Sequence, residues 1–452
     1  MELLLLVQMV IAALAAIVLY TFIGFIPGTD ETSVLMPVTL AIILSGVQPI
    51  IVLTFFIAAI VTLNLTNSMP TALVGLPGGV LSSPMIEHAL YLKNRGMSEI
   101  TIKKMASGAL IGTLISVPIA LVLADLLTPF AEIIQPYSSL LFVIGAIFLS
   151  LIGKNKILSL VSILPLAMLF QGLRYLYWGI GVVPKDTNIT TSFFLGITIG
   201  PLIISLLSLL NKANREKMLT DEYKKITLPK STSAHQTINP FKVLSKSELK
   251  PASLSALFSN FLFVLSPVGL IILFGELVAN KKQDPVEKAS TAIITMSALA
   301  QSTYLSGIII PLIALGIPLS PTAIGPGSPL FNAPPVFTVD HNLHHILSTT
   351  EFTIAILIGS ILAALISYIV INRYAGKISQ FVLLKIPHEA ILGLFISFIL
   401  LLAYMDAGLI NIFGVLLIGI ASGTLNKMGM NYGIQFMTLY AAPWLVEKIA
   451  QI

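Results

Sequence analysis

The chain has 452 residues, 56% hydrophobic and 10% charged, with a formal net charge of +5 and no cysteine. A soluble domain carries roughly 25% charged residues, so a soluble fold is excluded, and the mean hydropathy of +0.96 points to an integral membrane protein. Zero cysteines exclude disulfides, thiolate catalysis and Cys-ligated metals. The basic excess falls in loops between apolar runs, where the positive-inside bias puts it, so no nucleic-acid partner is expected.

The first apolar run, residues 3–26, has no Lys or Arg before it and ends in Gly24-Phe25-Ile26-Pro27-Gly28. It lacks the charged start and cleavage site of a signal peptide and is expected as a retained first span. Pro27-Gly28-Thr29-Asp30-Glu31 then leads into a second apolar segment. Asp30 and Glu31 suit a coupling cation or proton, because ionisable groups at membrane depth are functional candidates. They suit equally a helix N-cap with acid in the first turn.

Further on, apolar runs near 106–124, 138–152, 157–179 and 190–210 predict spans. Lys93, Arg95, Lys103, Lys104, Lys154 and Lys156 fall on the cytoplasmic side, and Asp125 and Glu132 outside. Residues 211–250 hold nine basic and four acidic residues and form a cytoplasmic loop. This loop divides the chain into a first membrane half, residues 1–210, and a second, residues 251–452.

Beyond the loop, residues 252–278 predict a single span that exits to the outside. No Lys or Arg then appears between Lys288 and Arg373, which makes 320–350 an external loop. Arg174, Glu276 and Asp406 are expected near span ends, and His341, His344 and His345 in the external loop. The chain is predicted to be an all-α polytopic membrane protein of about 10–12 transmembrane segments.

Two segments share one pattern: Pro70-Thr71-Ala72-Leu73-Val74-Gly75-Leu76-Pro77 and Pro311-Leu312-Ile313-Ala314-Leu315-Gly316-Ile317-Pro318. Proline removes a backbone donor and glycine opens the chain, so each predicts a discontinuous or re-entrant helix. The loop after Pro77 is basic and that after Pro318 is free of cations, so the two breaks are expected to face opposite sides. That is an inverted-topology repeat, whose paired breaks mark a transporter's midplane site.

Polar uncharged residues flank both breaks. The substrate-binding candidates are Asn64, Thr66, Asn67, Ser68, Gly75, Pro77, Gly78 and Gly79 at the first, and Gln301, Ser302, Thr303, Ser306, Gly316 and Pro318 at the second. Half-helix N-termini suit a carboxylate or phosphate, while hydroxyls and unwound carbonyls suit Na⁺ or polar substrate groups. Each single residue has a plainer reading as an interhelical hydrogen bond.

These motifs resemble the large membrane permease subunit of the tripartite tricarboxylate transporters. Pro27-Gly28 followed by Met36-Pro37 is similar to that family's early Pro-Gly and Leu-Pro steps, and Pro77-Gly78 through Arg95-Gly96 to its Pro-Gly break. Gly307-Ile308-Ile309-Ile310-Pro311 and Leu315-Gly316-Ile317-Pro318 are similar to its second-half motif. Gln301-Ser302 stands where the family has paired asparagines, Leu319 where it has glycine, and Gly75 where asparagine is usual.

The resemblance implies a secondary carrier for small organic anions such as di- or tricarboxylates, coupled to Na⁺ or H⁺, in a prokaryotic cytoplasmic membrane. It also implies a small membrane subunit and an extracytoplasmic binding protein as partners, and a homodimer is compatible with it. The alternative is a carrier or flippase for a lipid-linked anionic head group. Neither H-E-x-x-H nor G-x-S-x-G occurs, so no enzyme is expected, nor any bound metal or cofactor beyond the coupling ion.

Overall fold

A computed structural model describes residues 3–27, 31–76, 78–153, 155–185, 189–212, 239–338, 340–385 and 388–451. The helices of eight or more residues are α1 (Leu3–Gly24), α2 (Glu31–Leu44), α3 (Pro49–Val74), α4 (Ile86–Lys93), α5 (Ser98–Leu127), α6 (Ser138–Ile152), α7 (Lys156–Gly179), α8 (Thr190–Leu210), α9 (Lys246–Ser259), α10 (Pro267–Ala279), α11 (Pro285–Ile310), α12 (Thr349–Lys385), α13 (His388–Lys427) and α14 (Tyr432–Ala450). Isolated bridges at Ala333–Phe337 and Thr338–His341 are the extended pairing among the described residues.

Seven helical stretches among the described residues are long and apolar enough to cross a membrane. Two of them are double. Ser98–Leu151, 54 residues, would measure about 80 Å as one helix against a hydrocarbon core of about 30 Å, and short turns at 128–137 divide it into α5 and α6. Helix α13 is interrupted at Ala407 and at Gly408, whose φ is 70°, leaving two pieces of span length. Glu31–Leu44, Ser192–Ser208 and Pro267–Ala279 are shorter apolar helices. The chain is an all-α polytopic membrane protein.

The two broken helices lie at the centre. The apolar windows of Pro49–Val74 and Pro285–Leu315 are 89% and 100% buried, against 28% for Leu3–Gly24. Small residues let their neighbours approach. Along α5 and α11, Lys104 meets Ser290, Gly108 meets the carbonyl of Ile294, Gly112 that of Ala298, and Ser116 that of Ser302. The separation stays at 186 residues, so the helices run parallel. Helices α3 and α12 do the same: Gly359 sits on Thr54, and Ser367 donates to Thr62 at 3.1 Å with a separation of 305.

Through the first break and α4, α3 delivers the chain to the face carrying Lys93, Arg95 and Lys104, from which α5 departs. Helices α3 and α12 thus run toward this basic face, and α5 and α11 away from it.

The expectation of one outward span over 252–278 is corrected. The Lys104 ammonium donates to Glu248 at the start of α9 and to Ser290 at the start of α11, both at 2.6 Å. The intervening chain therefore leaves the basic face and returns to it. Asn260–Leu262 and the turn before Ser266 reverse it, Ser266 capping α10 through the Gly269 amide at 3.4 Å. At 14 and 13 residues, α9 and α10 reach about 20 Å each, less than the membrane's apolar thickness. Helix α9 also begins at Lys246, inside the segment expected as loop, with Ser245 and Glu248 forming its capping box.

Candidate functional site

At the first break, α3 ends on Gly75, whose left-handed φ of 78° lets its amide reach Pro70 O and Thr71 O at 3.1 Å each. The chain then folds back onto α3. A Cβ on Gly78 would lie 2.0 Å from Asn67 O, and one on Gly79 would lie 2.2 Å from Glu31 Oε1 and 2.6 Å from Asn67 Nδ2. Asn67 Nδ2 donates to Glu31 Oε1 at 3.3 Å. Glu31 and Asn67 are 4% and 3% exposed, so a carboxylate in the first turn of α2 is enclosed beside the break. Asp30 and Pro77 lie outside the described residues.

At the second break, α11 widens into a π-turn over Pro311–Leu315 and ends on Gly316 with φ 66°. Ser320 then caps the turn Pro321–Ile324 and donates back to Gly307 O, so this chain also folds onto the helix it has left. Three carbonyls at this break are occupied by side chains. His344 Nδ1 pairs with Ile313 O at 2.8 Å, Gln135 Nε2 donates to Leu315 O at 2.9 Å, and Asn342 Nδ2 donates to Gly316 O at 2.9 Å.

Other candidates divide into two groups. Thr66, Ser68, Thr303 and Ser306 return their hydroxyls to carbonyls of the preceding turn, and Ser302 pairs with Ser259 of α9 at 2.7 Å. These five serve helix packing in this conformation. Asn64 is 7% exposed and neither end of its amide has a partner among the described residues; Gln301 donates to Val61 O at 2.9 Å, tying α11 to α3, while its Oε1 has none among them. Pro318 is buried in the chain that follows the second break.

The two breaks meet through α2. Glu31 touches Asn67 and Gly79, and the next residue, Thr32, places its Oγ1 3.3 Å from where a Gly325 Cβ would lie. Consecutive Cα atoms are about 3.8 Å apart, so the segments after both breaks converge on one turn of helix. Thr32 and Gly325 were not visible as a pair from sequence.

Elsewhere, Arg174 is 6% exposed and donates to Gln171 and Thr190 at 2.9 Å, and Asp406 accepts from Ser192 beside the α13 interruption. His88 pairs with Glu276 at 2.7 Å near the basic face. Among the described residues no group of three His, Cys, Asp or Glu side chains could hold a metal.

A polytopic helical protein with two glycine-ended breaks folded onto a central pair of helices fits the resemblance noted above, and a family model settles it. The model described as Tripartite tricarboxylate transporter TctA family matches residues 10–434. The chain belongs to this family. No curated protein and no solved structure matches it. Membership of the TctA family makes the chain a multi-pass component of a transport system, and the matched residues contain both breaks.

Proposed function

We propose that the chain is the permease of a secondary active carrier for small organic anions, di- or tricarboxylates, coupled to Na⁺ or H⁺. The observation that carries this reading is the convergence of both breaks on Glu31 and Thr32 at the start of α2. Glu31, Asn67 and Gln301 are at most 4% exposed, a burial that supports a form closed to both sides, as a carrier needs between its two open forms.

Two parallel pairs, α3 with α12 and α5 with α11, running in opposite directions, support inverted-topology halves and alternating access around this midplane point. The positive-inside bias supports a cytoplasmic basic face. A prokaryotic cell membrane, a small membrane subunit and an extracytoplasmic binding protein follow from the family's tripartite character. Catalysis has no role in this reading.

Uptake of radiolabelled citrate and succinate into proteoliposomes tests it. Accumulation driven by an imposed Na⁺ or proton gradient, and lost when that gradient is dissipated, is expected. No uptake of either under both gradients, with the small membrane subunit and the binding protein supplied, would defeat the proposal.

One observation favours a second reading. A crevice of about 990 Å³, lined by apolar residues of α1, α2 and α13 and by Ile26 just after α1, opens between Phe22, Ile26, Val38 and Phe398. It approaches the α1–α2 turn from the lipid side, as a route for the tail of a lipid-linked anion would. A lipid translocation assay on the same vesicles separates the two.

A further inference from the structure

This inference rests on the carrier reading and deepens it by choosing between the two coupling ions. Gln301 reaches across from α11 and donates from Nε2 to Val61 O at 2.9 Å. Asn64 stands three residues further along α3, and helical side chains lean back over the preceding turn. A polar side chain at that spacing lies over the earlier carbonyl, as Thr66 does on Leu63 O at 3.1 Å and Ser68 on Leu65 O at 2.9 Å in the same helix. Both amides thus belong to one place, the Val61 carbonyl.

Asn64 Oδ1, Asn64 Nδ2 and Gln301 Oε1 have no partner among the described residues. Burying unpaired polar atoms is unfavourable, so two such amides at the contact of the two central helices mark a place for a polar ligand. Space for a small one lies beside them. Asn64, Asn67 and Ser68, a single face of α3, keep 7%, 3% and 3% exposure, whereas Leu63, Leu65 and Thr66 keep 0%. A gap of water size therefore follows this face, and one turn from Asn64 it reaches Asn67 on the Glu31 carboxylate.

The free atoms fix what fills the gap. With its nitrogen engaged at Val61 O, the unpaired end of Gln301 is an acceptor, and Asn64 offers a second. Amides do not take up a proton in the physiological range, so this pair is no proton site. Residues 32–86 and 289–339 contain no Asp, Glu, Lys, Arg or His. The charge next along the gap is that of Glu31, which attracts a cation.

We propose that Asn64 Oδ1 and Gln301 Oε1 bind Na⁺ between α3 and α11, with water or an oxygen of the bound carboxylate completing its shell. Neutral oxygens beside interrupted helices are the donors carriers use for this ion. It joins the first half of the chain to the second, and its charge offsets that of the substrate. Each then tightens the other's binding, by the same factor in both directions.

Binding of radioactive Na⁺ to the purified full chain, without and with citrate, tests this in the wild type and in Asn64→Leu, Asn64→Asp and Gln301→Met. Asn64→Leu keeps the bulk of an amide that bonds to none of the described residues, so an unchanged thermal midpoint in choline chloride is expected. The wild type should bind Na⁺ saturably, and more tightly with citrate. Asn64→Leu and Gln301→Met should each raise the half-saturating concentration about tenfold, as for loss of a polar contact to a charge. Asn64→Asp, which keeps the oxygen and adds charge, should bind at least as tightly as the wild type.

Wild-type half-saturation in both Asn64→Leu and Gln301→Met overturns the site. So does a wild type without saturable Na⁺ binding in either condition, the gap then holding water alone; citrate uptake driven by protons in that case leaves the carrier reading standing. Na⁺ binding that is lost in Asn64→Leu, beside no anion uptake under any gradient, supports the site and defeats the carrier reading.

Discussion

Asn67 and Glu31, 36 residues apart in sequence, meet at 3.3 Å beneath Gly79. Removing the amide leaves an enclosed carboxylate short of a donor, while Gln301 on Val61 O and Ser367 on Thr62 still tie α3 to its neighbours. Asn67→Ala should therefore lower the rate of anion uptake severalfold while the protein still reaches the membrane in normal amount. Quantitative immunoblots beside initial-rate uptake check this; unchanged kinetics would remove Asn67 from the site.

Two adjacent glycines at the first break should respond differently to alanine. At Gly78 the obstruction is the Asn67 backbone carbonyl, 2.0 Å from the new Cβ, which cannot yield without bending α3. At Gly79 the nearest atoms are the Glu31 and Asn67 side-chain ends, which can rotate away. Gly78→Ala should lower the thermal midpoint by overpacking, at about 1–3 kcal/mol, whereas Gly79→Ala should fold and lose transport. Equal melting temperatures would contradict this assignment of the contacts.

Lys104 binds Glu248 with side-chain exposures of 16% and 8%. Burial pushes the Glu248 carboxyl up, but the Lys104 and Ser290 hydrogen bonds, the Lys104 charge and the Ser245 amide outweigh it and hold it below the usual carboxylate range. A depressed folded-state value means stability that is present above the unfolded pKa of about 4.3 and lost as pH falls through the folded one. Lys104→Met alone should destabilise by about 3–5 kcal/mol, with Lys104→Met/Glu248→Leu recovering much of it. Thermal melts at neutral pH decide the comparison.

His345 accepts the Asn342 amide on Nδ1 at 3.3 Å, in the loop whose His344 and Asn342 cover the second break. Burial first, then the neighbouring His344 and His341, lower its pKa. The loop's stability is thus full above the unfolded pKa of about 6.5 and declines as pH falls past it. Hydrogen-exchange protection across 341–347, with the intrinsic pH dependence of amide exchange divided out, should fall on acidification, and His345→Asn, which keeps an acceptor, should flatten that dependence. A pH-independent protection factor would show that His345 does not hold the loop.

Local chemistry made much of this fold readable. Ser138–Ile152 and Lys156–Gly179 fall where apolar runs bounded by Lys154 and Lys156 place them, and Gly75 and Gly316 end their helices for the reason their Pro-Gly-Pro setting suggests. The reversal at Asn260–Leu262 was hidden, because 252–278 is long and apolar enough to span once. Ser266-Pro267, a cap followed by proline, was the available signal. The contact of Thr32 with Gly325 has no local signature at all, since nothing in either neighbourhood encodes the other.

The glycine and serine row on α5 lies against α11, and Gly359 of α12 lies against α3. Each half of the polypeptide thus borrows the helix that covers its own broken member from the other half. A cut within the connecting loop would leave two fragments with a bare ridge apiece, neither complete in a bilayer until it finds its counterpart.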